Sequence, residues 1–352
     1  MKLFGVSIIV LFQAICIANY SEATKPARAN PKIDFVIKQS ENKVDVTVDG
    51  KLFTSFCWPD NVYKPILFPV FTSSGIAVTR GFPLKPKAGE RGDHIHQVGI
   101  WFNYGNVNGL DFWGNGSRGI REPGGGVIKH ISIDKIKPGI GEGILISRES
   151  WINPKGKELL SEKSGYRFIA IGNQRIIDRI TTLTAVDTTV LFKDTKEGMF
   201  GIRLARELEM ASDEMVTLLD LNGKPAKEKV ISKTGISGMY HSSEGITGEA
   251  VWGTRAKWMA LDGIISNEKI SVVICDHPKN QSYPTYWHAR GYGLFAANPL
   301  GWSDFTKGKE KLGFSIPAGK SVTFRYRVII NSGSYLKNNE IDSLLKEFSL
   351  RY

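Results

Sequence analysis

The chain has 352 residues, with 46 Lys or Arg against 35 Asp or Glu, a net charge of +11. That length can bury a large core, and the cation excess favours an anionic partner. With no basic run and no recognised nucleic-acid motif, nucleic acid is not expected; no apolar stretch reaches the ~20 residues that a membrane helix needs.

Met1 and Lys2 precede an apolar run, residues 3–14, and then small and polar residues. This is the pattern of a secretory signal, with small-x-small cleavage points after Ala18 and Ala23. Residues 1–23 are therefore expected to be removed, and residues 24–352 to act in the periplasm or outside the cell. Cys57 and Cys275 remain. Two cysteines make no disulfide framework and serve equally well as small buried hydrophobes.

Strand signals follow. Val44, Val46 and Val48 alternate with polar residues, Asp49-Gly50 supplies a tight hairpin turn, and residues 52–56 read as the return strand. Residues 144–151, 166–171, 175–185 and 189–192 are β-rich. After the turn Pro317-Ala318-Gly319, Val322, Phe324, Tyr326, Val328 and Ile330 alternate in the same way. A helix over 339–349, capped by Asn339, carries the stripe Ile341, Leu344, Leu345 and Phe348 and should pack on a sheet edge. The expected fold is all-β: two large packed antiparallel sheets in one catalytic β-sandwich domain, with a short C-terminal helix.

Five of six histidines fall in three stretches rich in glycine and aromatics: residues 93–113, 238–258 and 276–301. His130, the sixth, reads as an ordinary surface residue. If the first stretch is extended, His94 and His96 share one face, where they can bind a metal or divide base and orienting roles. The His-x-His pattern is loose, and no metal or cofactor is expected. The second stretch sets Tyr240, His241 and Glu244 close together, a set suited to proton transfer. The third is the richest. Tyr286, His288 and Arg290 should share one strand face with Trp287 on the other, and a phenol, an imidazole and a guanidinium together suit a carboxylate-bearing substrate.

Residues 93–113, 194–203, 253–258 and 276–301 together resemble a bacterial PmoA-type family, a domain of unknown function common beside polysaccharide-degrading genes. Gln97-Val98 departs from the His and basic residue that many members carry there. The resemblance implies a large β-sandwich similar to sugar-mutarotase and polysaccharide-lyase supersandwiches.

The leading expectation is a carbon–oxygen lyase on uronic-acid-containing oligosaccharides, eliminating or dehydrating. In that scheme Arg290, with Arg80 or Asn108, holds the carboxylate. His288 or His96 is the base, with His94 and His241 as further candidates, Tyr286 or Tyr104 is the acid, and Trp101 and Trp287 stack on sugar faces. A sugar hydrolase or epimerase using the same histidines, or Glu244 and Asp111, is the enzymatic alternative. A glycan-binding module is the non-catalytic one. The oligomeric state stays open.

Overall fold

The computed structural model describes Met1, residues 30–114 and residues 125–352. The expected signal segment therefore lies outside the described residues, apart from Met1. The first hairpin forms as its sequence dictates. Val44, Val46 and Val48 are buried in the strand Lys43–Val48. Asp49 and Gly50 both take positive φ, 49° and 77°, the conformation that matches a two-residue turn to the twist of its strands. The chain then returns as Lys51–Cys57.

Among the described residues two large antiparallel sheets dominate. The nine-stranded sheet runs, from one edge, Tyr286–Arg290, Leu294–Asn298, Gly198–Arg203, Ile100–Tyr104, Ile66–Val70, Lys51–Cys57, Lys43–Val48, Lys32–Lys38 and Gly139–Ile140. The eight-stranded sheet runs Met239–Ser242, Trp258–Ile265, Glu268–Asp276, Ser321–Ser332, Gln174–Ala185, Glu158–Ile171, Glu142–Ile152 and Val127–Lys137. Their inner faces interdigitate through aromatic pairs: Phe53 with Phe168 at 6.1 Å, Phe56 with Tyr166 at 5.4 Å, and Phe200 stacked on Tyr326 at 4.9 Å. Each such large side chain contributes about 2–3 kcal/mol by leaving water, so the interlocked aromatics hold the two layers together.

The helix spans Asn338–Arg351. It lies on the outer face of the eight-stranded sheet, where Ile341, Leu345 and Phe348 pack with Ile169, Ile176, Val273 and Ile329, and not on an edge. Its cap also differs from the expected Asn339: the Glu340 carboxylate accepts the Lys337 N–H at 2.7 Å. Arg327 ties it down, donating to Asp178 at 2.6 and 2.9 Å and to Glu347 at 3.0 Å. Cys57 and Cys275 are free and buried.

His130 is not a surface residue. Its side chain is 8% exposed, lies against the Trp58 ring at 4.1 Å with 32° between planes and reaches Glu149 at 3.5 Å; burial pushes its pKa down to about 4. It belongs to a polar cluster between the sheets. There Arg179 donates to Glu162 at 2.7 Å, Trp151 Nε1 donates to the other oxygen of Glu162 at 2.7 Å, and the guanidinium lies 5.0 Å from the Phe102 ring. Burial, then the charge of Glu162, pushes the Glu149 carboxyl well up.

Candidate active site

Strand alternation sets the site. In Tyr286–Arg290, Trp287 and Ala289 join the sandwich core while His288 and Arg290 face outward. Over this outer face of the nine-stranded sheet fold residues 91–97, 111–114 and 194–197. They enclose a cavity of about 590 Å³ whose walls carry His94, His96, His288, Arg290, Trp113 and Tyr292. Asp111, Lys196, Glu197 and Glu249 complete its polar rim.

The segment over the sheet is held by buried arginines. Arg80, 1% exposed, donates to the carbonyls of Arg91, Asp93, His94 and Gln97 at 2.9–3.2 Å and to the Asp93 carboxylate at 2.8 Å. Arg203 donates to the same carboxylate at 2.9 Å and to Gln97 Oε1 at 2.5 Å. Burial alone would raise the Asp93 carboxyl, but the hydrogen bond to His94 and the charges of Arg203 and Arg80 hold it well below the usual range. Arg203 also lies 4.8 Å from the Tyr292 ring, which stacks on His94 at 4.9 Å. Arg80, expected to grip substrate, is therefore the clamp of the loop that carries the histidines.

That loop is not a strand. His94 has φ +43°, a left-handed conformation that no strand residue adopts. The two imidazoles meet all the same, edge to face at 5.8 Å. Burial, then the charges of Lys64 and His94, pushes His96 down to about 2, and its Nδ1 has no partner among the described residues.

His288 is the best-defined group. It is 2% exposed, and its Nδ1 lies 2.8 Å from the Lys196 carbonyl. A carbonyl only accepts, so Nδ1 carries the proton and Nε2 keeps its lone pair. The ring stacks on Trp113 at 6.2 Å with 17° between planes. Burial, then the charges of Arg290 and Lys196, pushes its pKa down to about 3, so the lone pair stays free at neutral pH. The Arg290 guanidinium lies over Trp252 at 4.6 Å and is in no ion pair among the described residues. The Trp113 indole N–H is likewise without a partner among them.

Other expected site residues lie elsewhere. Tyr286 faces outward but stacks on Phe305 at 5.2 Å, beneath the Arg255 guanidinium and outside the cavity. Tyr104 turns into the core, donating to the Leu300 carbonyl at 3.1 Å, and burial pushes its phenol up. Trp101 is wholly buried against Trp113, and Trp287 is core. Asn108 shapes a turn, its side chain accepting the Leu191 N–H at 2.8 Å. His241 is on the other sheet, 3.2 Å from Asp262. Of the carboxylates in the alternative scheme, Asp111 lines the cavity and Glu244 does not. Asp111 Oδ1 accepts the backbone N–H groups of Trp113 and Gly114 at 2.8 and 2.9 Å. Tyr292, Trp113, Lys196, Glu197 and Glu249 were missed as site residues.

Among the described residues no three His, Cys, Asp or Glu side chains are grouped to hold a metal ion, and no helix is long and apolar enough to cross a membrane. What the cavity offers is three imidazoles, those of His96 and His288 neutral, with carboxylates, one unpaired guanidinium and aromatic faces.

The model of a family described as a family of unknown function, DUF6807, matches residues 43–346. The expected PmoA-type resemblance is corrected by this match: DUF6807 is the family found. No curated protein matches the sequence. Among solved structures, a protein described as a kojibiose phosphorylase, from the human microbiome, is 10% identical with a TM-score of 0.32, over 91% of this chain and 35% of that one. The GH36 α-galactosidase of Geobacillus stearothermophilus is 11% identical with a TM-score of 0.37, over 86% and 40%. A galactose mutarotase related enzyme from Lactobacillus acidophilus is 11% identical with a TM-score of 0.28, over 86% and 97%. The chain thus spans little more than a third of the length of the first two. These are described as a phosphorylase, a galactosidase and a mutarotase-related enzyme, not as lyases. With Tyr286 and Tyr104 outside the cavity, the elimination scheme also has neither expected phenol beside His288. The lyase expectation is corrected accordingly.

Proposed function

The chain belongs to the DUF6807 family, and from its cavity we propose that it is a sugar-processing enzyme, an epimerase working by acid–base chemistry at the anomeric carbon. The observation that carries this is the pinned tautomer of His288, whose bare Nε2 sits on a cavity wall beside the Trp113 ring. A pyranose has an apolar face for an indole and hydroxyls that both donate and accept. The rim supplies acceptors in Asp111, Glu197 and Glu249 and donors in Lys196 and Arg290.

In this reading His288 Nε2 takes the proton of the anomeric hydroxyl. The bond from C1 to the ring oxygen breaks, and the ring oxygen takes the proton of the Tyr292 phenol. The open aldehyde rotates, closes on the other face, and both protons return. Arg290 steadies the sugar oxygens. The charge of +11 and the unpaired Arg290 support an acidic sugar as the preferred substrate, and export through the N-terminal segment remains part of the proposal.

Incubation with a panel of freshly dissolved aldoses, uronic acids and reducing oligosaccharides tests it, read by anomeric proton NMR and by mass. Faster anomer exchange at unchanged mass is expected. A mass gain of one water means hydrolysis and overturns the epimerase assignment; no change across the panel overturns the enzyme.

A further inference from the structure

The cavity adjoins a second recess. Arg91, donating to Glu209 at 2.8 Å and to Glu214 at 3.0 Å, forms a sill, and beyond it lies a cleft of about 410 Å³. Arg91 and Glu214 line both recesses. Asp93, Met215, Thr217 and Lys229 supply much of the rest of the second.

Its outer wall is a hairpin, Met215–Leu219 and Pro225–Ile231, that pairs with neither large sheet. It is attached through Gly89 N–H to the Leu219 carbonyl at 2.9 Å and Leu219 N–H to the Glu90 carbonyl at 2.8 Å. Gly92 permits the close approach: a Cβ there would lie 2.8 Å from Leu219 Cδ2. Little of the hairpin serves the sandwich core, since Met215, Leu221, Val230 and Ile231 are all exposed. What it does build is a polar cleft beside the cavity. Thr217 pairs directly with Lys229, placing a hydroxyl and an ammonium side by side. Met215, 53% exposed, adds an apolar surface, and Asp93 and Glu214 add acceptors. This is again the mixed lining that suits a sugar ring.

We infer that the cleft beneath the hairpin is a second sugar-binding subsite, so that the substrate is an oligosaccharide with its reacting unit in the first cavity and the next unit across the Arg91 sill. The inference rests on the sugar reading of the first cavity. Within the hairpin Lys224, Lys227 and Lys229 stand against Asp220 and Glu228, and Lys229, on the cleft wall, is the cation that would meet an acidic second unit.

The test is binding to an array of mono- to hexasaccharides from plant, algal and bacterial polysaccharides, with wild type, Thr217→Trp to fill the cleft, and Lys229→Ala. Wild type should bind chains of two or more units at least about tenfold more tightly than the matching monosaccharides. Thr217→Trp should remove that advantage at an unchanged melting temperature. Lys229→Ala, at an exposed position, should weaken acidic chains severalfold and reduce their salt sensitivity. Monosaccharides bound as tightly as chains, or full chain binding by both variants, overturn the subsite and leave the first cavity standing. An array with no bound glycan overturns the sugar reading and this inference with it.

Discussion

Around Asp93, two buried arginines, a carboxylate and a pair of histidines are wired together on the outer face of one sheet. Between the sheets, Arg179, Glu162, Glu149 and His130 form a second set drawn from the same kinds of group, with one arginine against two carboxyls. In each region burial pushes a histidine far below its ordinary pKa, His288 on the cavity wall beside the first set to about 3 and His130 in the second to about 4. The difference is access. His288 presents a lone pair to a cavity, whereas His130 is walled in by Trp58 and Phe56. Perturbed ionisable groups arise wherever polar side chains are buried, so perturbation alone does not mark a site.

The sharpest way to break this contrast is to alter one group in each region. His288→Asn keeps a donor for the Lys196 carbonyl and removes Nε2. Turnover should fall by roughly 10²–10⁴-fold, the usual range for a lost general base, while the melting temperature stays close to wild type. Arg179→Met should do the reverse. It leaves Glu162 charged and unpaired in the interior, which costs about 3–5 kcal/mol, and turnover per folded molecule should be unchanged. Denaturant titration and kinetics on the same preparations read both.

The interior also predicts two opposed pH effects on stability. A carboxyl raised by folding, as Glu149 is, binds its proton more tightly in the native state. Stability therefore falls as pH rises from the ordinary value of 4.5 towards the folded one. His130 is depressed from 6.5 to about 4, so stability falls as pH drops through that window. Glu149→Gln should flatten the first slope and His130→Gln part of the second, measured by urea unfolding at intervals from pH 4 to 8. The smallest effect concerns Arg290. Arg290→Lys keeps the charge but loses the planar fork, so KM for an acidic sugar should rise about tenfold with a lesser change in kcat. Equal loss on acidic and neutral sugars would detach Arg290 from charge recognition.

Much of the fold was legible. Val44, Val46 and Val48, and the run from Val322 to Ile330, alternate because one side of each strand is core, and the same period put Trp287 and His288 on opposite faces. The site was legible where the histidines mark it, His288 on a strand and His94 and His96 in a loop. Trp113 and Lys196 reach the cavity from segments that fold over the sheet, and no local spacing reports such a non-local approach; Tyr292 follows Arg290 by two residues, in the turn after the strand. His94 and His96 were read as extended, yet His94 sits at φ +43°. Arg80 carries the same guanidinium as Arg290; one is a clamp and the other free because of what packs against each. His130 is flanked by exposed Lys129 and Ile131, so its strand gave no sign that this side chain enters the interior.

The most direct test of the account is ¹⁵N NMR of protein labelled in its histidine rings, before and after addition of an acidic oligosaccharide that the array identifies. The account predicts that His288 is neutral from pH 5 to 8 with its proton on Nδ1, and that sugar shifts its Nε2 resonance while His130 stays unmoved. A proton on Nε2, or bound sugar that leaves His288 unshifted, would contradict it.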